Sequence, residues 1–401
     1  MDFQTLLIVL TGLSLGVLAG FVMHRSDYCV AGMFRDFFLF GNPFMLRTLL
    51  LLVIVSAALF ELARLAGLLP LHPFPLLGSP SLANLAGGAL FGVGMVLAGG
   101  CVVGTLYKMG SGSAVSGLAV AGLLAGSALY AEIYPAWSSL VKATTLFQGR
   151  ITVPQILGIQ PPVIIVPLAV IASLFLLRWR RDGKLTRRSL VEGYLQPGKA
   201  AVYLALIGLS SCVLIGMPLG ITTAYSKMGA YAAGLVVKTH VDALAYFRTV
   251  PLDYFHPIME IRLKGGPGPH TDAISLIQFP VIIGIVLGGA LSAFLVKEFR
   301  LYFRLPLRQY ASAFIGGAIM GLAARMAPAC NVWHLFGGLP ILAVQSILFL
   351  VGLFPGAWLG SMIMARIVVR SSDSHIPHLI PEGAEKGDCC YGTEATRTDR
   401  V

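Results

Sequence analysis

Charge is scarce in this chain, and negative charge is scarcer still. Of 401 residues only 12% are Asp, Glu, Lys or Arg, and 18 acidic side chains face 29 basic ones. No Asp or Glu occurs between Glu61 and Glu132. Other absences exclude whole classes of function. There is no Walker loop to cradle nucleotide phosphates, which excludes a self-powered pump, and no C-x-x-C pair for dithiol exchange. Segments of alternating polarity, the mark of an outer-membrane barrel, are missing. No polar block is long enough for a separate soluble domain. The opening MDFQTLLIVLTGLSLG lacks the basic stretch of a cleavable signal, so its apolar segment is expected to remain as a helix.

What is present is hydrophobic. A 56% share of apolar residues and a mean hydropathy of +0.81 are far from soluble-domain averages and describe an integral membrane protein. The expected class is all-α and polytopic, with room for about eight to ten helices of ~20 residues. We read a single transmembrane domain over residues 1–370, in halves of about 1–180 and 199–370. The polar tail 371–401, which carries Cys389 and Cys390, is expected to be disordered and cytoplasmic. The net charge of +11 is concentrated at residues 178–188 and 297–308. Short basic loops are retained in the cytoplasm, so both are placed there and the loops 68–80, 134–161 and 238–272 outside. Because both basic runs abut helix ends, the expected partner is the lipid bilayer and not nucleic acid.

A spacing recurs. Gly16, Gly20 and Cys29, then Gly88, Gly92 and Cys101, then Gly317, Gly321 and Cys330 all follow G-x3-G-x8-C. A degraded fourth copy is read at Gly208, Cys212 and Ile221, where SKMG (226–229) echoes YKMG (107–110) downstream. Small residues four apart let helix backbones approach closely, so each copy is expected to begin as a packed helix and to break at its cysteine. Duplicated halves with interrupted hydrophobic segments are a transporter architecture whose site lies near the midplane. Non-helical backbone at that depth must line a cavity or be buried in protein, and free N–H groups at helix starts suit an anion.

The basic residues agree in sign. His24 and Arg25 precede Cys29, Lys108 follows Cys101, Arg325 precedes Cys330 and His334 follows it, making these the candidate polar residues of a pathway. Asp27 and Asp36 are expected to pair with nearby arginines. One buried cysteine is ordinarily a small hydrophobe, as Cys212 is taken to be, but three at one repeat position ask for another reason. A zinc site needs four ligands, and only His334 accompanies Cys330, so no metal and no cofactor are expected. Weakly donating, polarizable thiols suit a soft sulfur-containing anion held briefly at successive stations. A membrane-embedded thiol enzyme forming a persulfide is the competing class, with Cys330 and His334 as its best support.

The stretches RSDYCVAGMFRDFF, GGALFGVGMVLAGGCVVGTLYKMG and GGAIMGLAARMAPACNVWHLFGGLP resemble the YeeE/YedE family of sulfur-compound transport membrane proteins. The resemblance implies uptake of thiosulfate across a bacterial inner membrane through paired, inward-pointing short helices whose cysteines line the path. It also implies a selenium species as the alternative cargo, because one branch of the family is associated with selenium metabolism. A cytoplasmic sulfur-carrier protein is a candidate partner. Ile221 and Thr222 stand where a fourth thiol would be.

Overall fold

The computed structural model describes residues 3–185, 193–256, 258–301, 303 and 305–366. The expected tail, with Cys389 and Cys390, lies outside the described residues. The first half contributes α1 (Phe3–Ser26), α2 (Val30–Phe40), α3 (Phe44–Leu65), α4 (Ala83–Leu97), α5 (Val102–Gly110), α6 (Ala114–Ala143), α7 (Val153–Leu157) and α8 (Pro161–Arg181). The second contributes α9 (Pro197–Leu214), α10 (Thr222–Ala243), α11 (Ala273–Leu295), α12 (Leu307–Met326) and α13 (Val344–Met364). Among the described residues, eight segments are long and apolar enough to cross a membrane. The protein is a multi-pass membrane protein.

Glycines set how closely the long helices approach. A Cβ at Gly16 would lie 2.5 Å from the Val281 carbonyl oxygen, and one at Gly20 would overlap the backbone of Ile285, so α1 lies directly on α11. On α4, a Cβ at Gly92 would lie 2.5 Å from Ala357 N and 2.6 Å from Leu353 O, and Gly88 meets Phe349, both on α13. Gly317 and Gly321 of α12 meet the backbone of Ala119 and Leu123 on α6 in the same way. Residue numbers rise together along each pair, so each pair is parallel. Gly208 differs, with nothing within 4 Å of its Cβ position.

These distances set up opposite outcomes for two superficially similar changes. Gly92→Val should destabilise the protein by about 1–3 kcal/mol, because both neighbours are backbone and cannot yield. Gly208→Ala should be neutral or stabilising by up to about 1 kcal/mol, since it only removes glycine's helix penalty. Thermal melts of the two variants in one detergent check both.

Direction separates the motif helices into two pairs. The ends of α8 and α11 lead into Arg178, Arg180 and Arg181 and into Lys297, and Arg25 near the end of α1 donates to the Gly193 carbonyl at 2.5 Å. These helices therefore run toward one basic end. Gly94 of α4 lies against Met320, whereas Gly316 lies against Leu97 and Ala98, so α4 is antiparallel to α12. The motif helices α1 and α4 thus run toward the basic end, and α9 and α12 run away from it.

One feature departs from the all-α expectation. Residues 238–272, read as a loop, contain an antiparallel hairpin of β1 (Leu252–His256) and β2 (Ile261–Gly265). Leu252, Tyr254 and His256 alternate inward along β1, a period-two pattern too short to stand out beside twenty-residue apolar runs. Tyr254 donates to the Ile215 carbonyl at 2.6 Å and so fastens the hairpin to the end of α9.

His256 adds a second attachment. Its Nε2 faces the Leu214 carbonyl at 3.1 Å, while Nδ1 accepts from the N–H groups of Ile258 and Met259. Burial lowers its pKa below the ordinary value of 6.5, although the Leu214 carbonyl works the other way. A proton on Nδ1 would oppose two donors, so the neutral ring is the one that fits. The penalty is absent above about pH 6.5 and grows as pH falls below it. The protection factor against hydrogen exchange at residues 252–265, measured relative to the intrinsic rate at each pH, should fall between pH 7.5 and 5.5, and His256→Gln should flatten that dependence.

Candidate functional site

A residue of positive φ follows each of the three motif helices that lead to a cysteine. Asp27 has φ 45°, Gly99 71° and Ala329 146°, one or two positions before Cys29, Cys101 and Cys330. The chain breaks there and restarts. Cys29 is the N-cap of α2, Cys101 of α5 and Ile221 of α10. After Cys330 the restart includes a π-helical turn, Trp333–Gly338. At Cys101 the sulfur itself accepts the Gly104 N–H at 3.3 Å. The remaining first-turn N–H groups of these short helices carry the partial positive charge of helix starts.

All four described membrane cysteines are reduced and buried. The sulfurs of Cys29 and Cys101 both lie against the Cα of Gly104. Gly104 makes this possible, because a Cβ there would stand 2.7 Å from the Cys29 sulfur and 3.3 Å from the Cys101 sulfur. The Asn331 side chain approaches Cys101 from the copy that carries Cys330, and Tyr225 of α10 lies near both Cys101 and Cys330. Cys29, Cys101, Ile221, Tyr225 and Cys330 all belong to one buried core. Cys212 is packed within α9.

That interior has polar atoms with nothing to bind. Tyr225 Oη, both amide atoms of Asn331, Trp333 Nε1 and Arg325 Nε are buried without a hydrogen-bond partner. Buried polar groups are ordinarily satisfied, so these atoms are free to take a water molecule or an ion as partner. Most of them were missed in the sequence. The signals were small: Asn331 and Thr222 are polar where Val30 and Val102 follow the other break residues, and Gly32 and Gly104 share a position three after their cysteines.

On the side away from the basic end, a cavity of about 440 Å³ opens above these residues. Its lining includes Thr222, Thr223, Gln278, Arg325, Trp333 and Ala329, with no Asp or Glu among the lining residues. Arg325 is only 7% exposed. Its guanidinium donates to the hydroxyls of Thr223, at 3.1 Å, and of Thr222. No carboxylate pairs with it among the described residues. A buried cation held by neutral hydroxyls keeps its full charge available for an anion.

The other expected polar residues divide. Lys108 donates to the Gly99 carbonyl at 3.1 Å, beside the break that carries Cys101. His24 and Arg25 both hydrogen-bond Ser292, at 2.9 and 3.1 Å, and so join α1 to α11 at the basic end. His334 is buried, with Nδ1 on Ser346 at 3.0 Å and its ring stacked on Phe349 at 4.2 Å. Asp36 pairs with Arg35 at 2.9 Å as expected. Asp27 does not pair with an arginine; it accepts from Tyr107 Oη at 3.1 Å, because its left-handed backbone turns it toward α5. No cluster of metal-ligating side chains occurs among the described residues.

A family profile described as sulphur transport matches residues 25–359. The thiosulfate transporter TsuA of Spirochaeta thermophila is 29% identical over 369 residues, spanning 87% of this chain and 98% of that one. The thiosulfate transporter TsuA of Escherichia coli is 44% identical over 107 residues, 26% of this chain and 29% of the relative. The probable transporter YedE of the same organism is 27% identical over 163 residues, 40% of this chain and 38% of the relative. With the profile extending over most of its length, the chain belongs to the sulphur-transport (YeeE/YedE) family.

Proposed function

We propose that this protein carries thiosulfate, or a closely related sulfur-containing anion, across a bacterial inner membrane into the cytoplasm. The observation that carries the reading is Arg325, a buried cation without a carboxylate partner, at a cavity beside the breaks that present three thiols. The names of two relatives supply the substrate class. In this reading the halves are inverted repeats, with motif helices running in opposite directions and their breaks meeting inside.

The division of labour follows from hardness. The oxygen end of thiosulfate suits the guanidinium, the Thr223 hydroxyl and the Trp333 indole N–H, while the terminal sulfur suits thiols. The ion leaves the cavity past Cys330 and Asn331, meets the Cys101 and Cys29 pair, and exits toward Lys108. Each contact is weak enough to be released to the next. Against a membrane potential of 100 mV, negative inside, moving two negative charges inward costs about 4.6 kcal/mol. Uptake therefore needs a co-transported cation or rapid removal of the product, for example by a cytoplasmic sulfur-carrier protein.

The competing thiol-enzyme reading would rest on His334, whose Nδ1 is held by Ser346 and whose Nε2 has no hydrogen-bond partner. The deciding measurement is entry of labelled thiosulfate into proteoliposomes containing only this chain. Saturable entry without chemical change of the ion is expected; conversion to sulfite and bound sulfur would overturn the reading in favour of an enzyme.

A further inference from the structure

A cleft larger than the one above Arg325 lies at the opposite end of the molecule. Between α3, α8 and α9, at the basic end, lies a cleft of about 700 Å³. It exists because α8 packs against α3 and stands away from α9. Leu176 of α8 joins Leu51 of α3 and Leu185 in a small apolar cluster that closes the cleft's inner side. Leu177 and Val202 continue the aliphatic wall outward, and both are exposed on the protein's surface, where the bilayer's hydrocarbon lies.

The other end of the cleft has a different chemistry. Arg180 in the last turn of α8 and Lys199 in the first turn of α9 line it, with Gln196 between them. Among the described residues neither cation has an ion pair, and no Asp or Glu lines the cleft. Gln196 makes no side-chain cap to α9, so the N–H groups of that helix start add to the positive field. An aliphatic wall continuous with the bilayer, ending in two cations at headgroup depth, matches one class of molecule. We propose that the cleft holds an anionic glycerophospholipid, its phosphate between Arg180 and Lys199 and an acyl chain along Leu177 and Val202. A free phosphate would use only the basic end and leave the apolar wall unfilled. The inference does not depend on which ion the protein transports.

The test uses the full chain in phosphatidylcholine nanodiscs, titrated with phosphatidylglycerol, with retained lipid counted by native mass spectrometry. Wild type should retain one phosphatidylglycerol. The Arg180→Gln/Lys199→Gln variant should retain it roughly thirtyfold more weakly, the combined effect of two cations near a membrane surface. Lys297→Gln/Arg300→Gln makes the same charge change at the same end outside the cleft, and should leave retention unchanged. Val202→Trp keeps both cations but fills the wall, and should also expel the lipid. Equal losses in the two charge variants would overturn the proposal in favour of diffuse attraction. Retention of phosphatidylcholine as strong as that of phosphatidylglycerol would make the cleft an apolar filler, and displacement by inorganic phosphate would make it a free-anion site; either result overturns it, as does full retention by Val202→Trp.

Discussion

Cys101→Ala is expected to lower uptake of labelled thiosulfate into proteoliposomes about a hundredfold, a barrier raised by roughly 2.7 kcal/mol, without preventing insertion or folding. In the proposed path the residue stands between Cys330 and Cys29. Its sulfur accepts the Gly104 N–H at 3.3 Å and shares the space beside Gly104 with the Cys29 sulfur. Alanine keeps the backbone and removes the one group that the terminal sulfur could meet between the two ends. Cys29→Ala and Cys330→Ala should each reduce uptake as well, whereas Cys212→Ala, inside α9, should be tolerated. Serine should rescue poorly, because a hydroxyl is a harder and better hydrated donor than a thiol. Gly104→Ala supplies a control that removes no thiol. Its methyl would stand 2.7 Å from the Cys29 sulfur and 3.3 Å from that of Cys101, so it should separate them and impair uptake comparably. Full transport by Cys101→Ala would return the cysteines to ordinary packing.

The parts of this architecture that were legible in the sequence are those with long or repeated signals. Twenty-residue apolar runs announce membrane helices because no water is available to satisfy their backbone. The spacing of Gly16, Gly20 and Cys29 was readable because it occurs three times, and single occurrences in a chain with 46 glycines would have meant little. The glycines lie at backbone contacts, and the cysteines lie at breaks. Gly208, at the degraded copy, lacks such a contact.

The interior chemistry was less legible, and the reason is physical. Tyr225, Asn331 and Trp333 act through where their polar atoms point, and nothing in residue type distinguishes an orphaned indole N–H from a satisfied one. The Cys29 and Cys101 contact joins residues 72 positions apart, so only the folded chain reveals that Gly104 is the spacer between them. Asp27 is the instructive miss. A carboxylate two residues from Arg25 invites an ion pair, but Arg25 is committed to Ser292 and Gly193, and the left-handed turn delivers Asp27 to Tyr107 instead. Local charge proximity lost to backbone direction.

Arg325→Gln should weaken the apparent affinity for thiosulfate roughly ten- to a hundredfold, as expected for one lost hydrogen bond from a charged donor at about 1.5–3 kcal/mol. The substitution preserves length and a hydrogen-bonding end, so Thr222 and Thr223 retain a neighbour and the fold should survive. What disappears is the cavity's buried positive charge. Arg325→Lys separates charge from geometry. An ammonium restores attraction but cannot reach both hydroxyls and still present a second planar face, so it should recover only part of the affinity. The same pair of variants tests sign. Wild-type flux with thiosulfate should exceed flux with sodium or potassium alone, because the lining residues include no carboxylate to hold a cation. If Arg325→Gln instead left uptake unchanged, the charge would not be in the ion's path, and the cavity would be only an indentation between loops. A rise in cation flux on Arg325→Gln would support the opposite conclusion, that this one guanidinium sets the selectivity of the entrance.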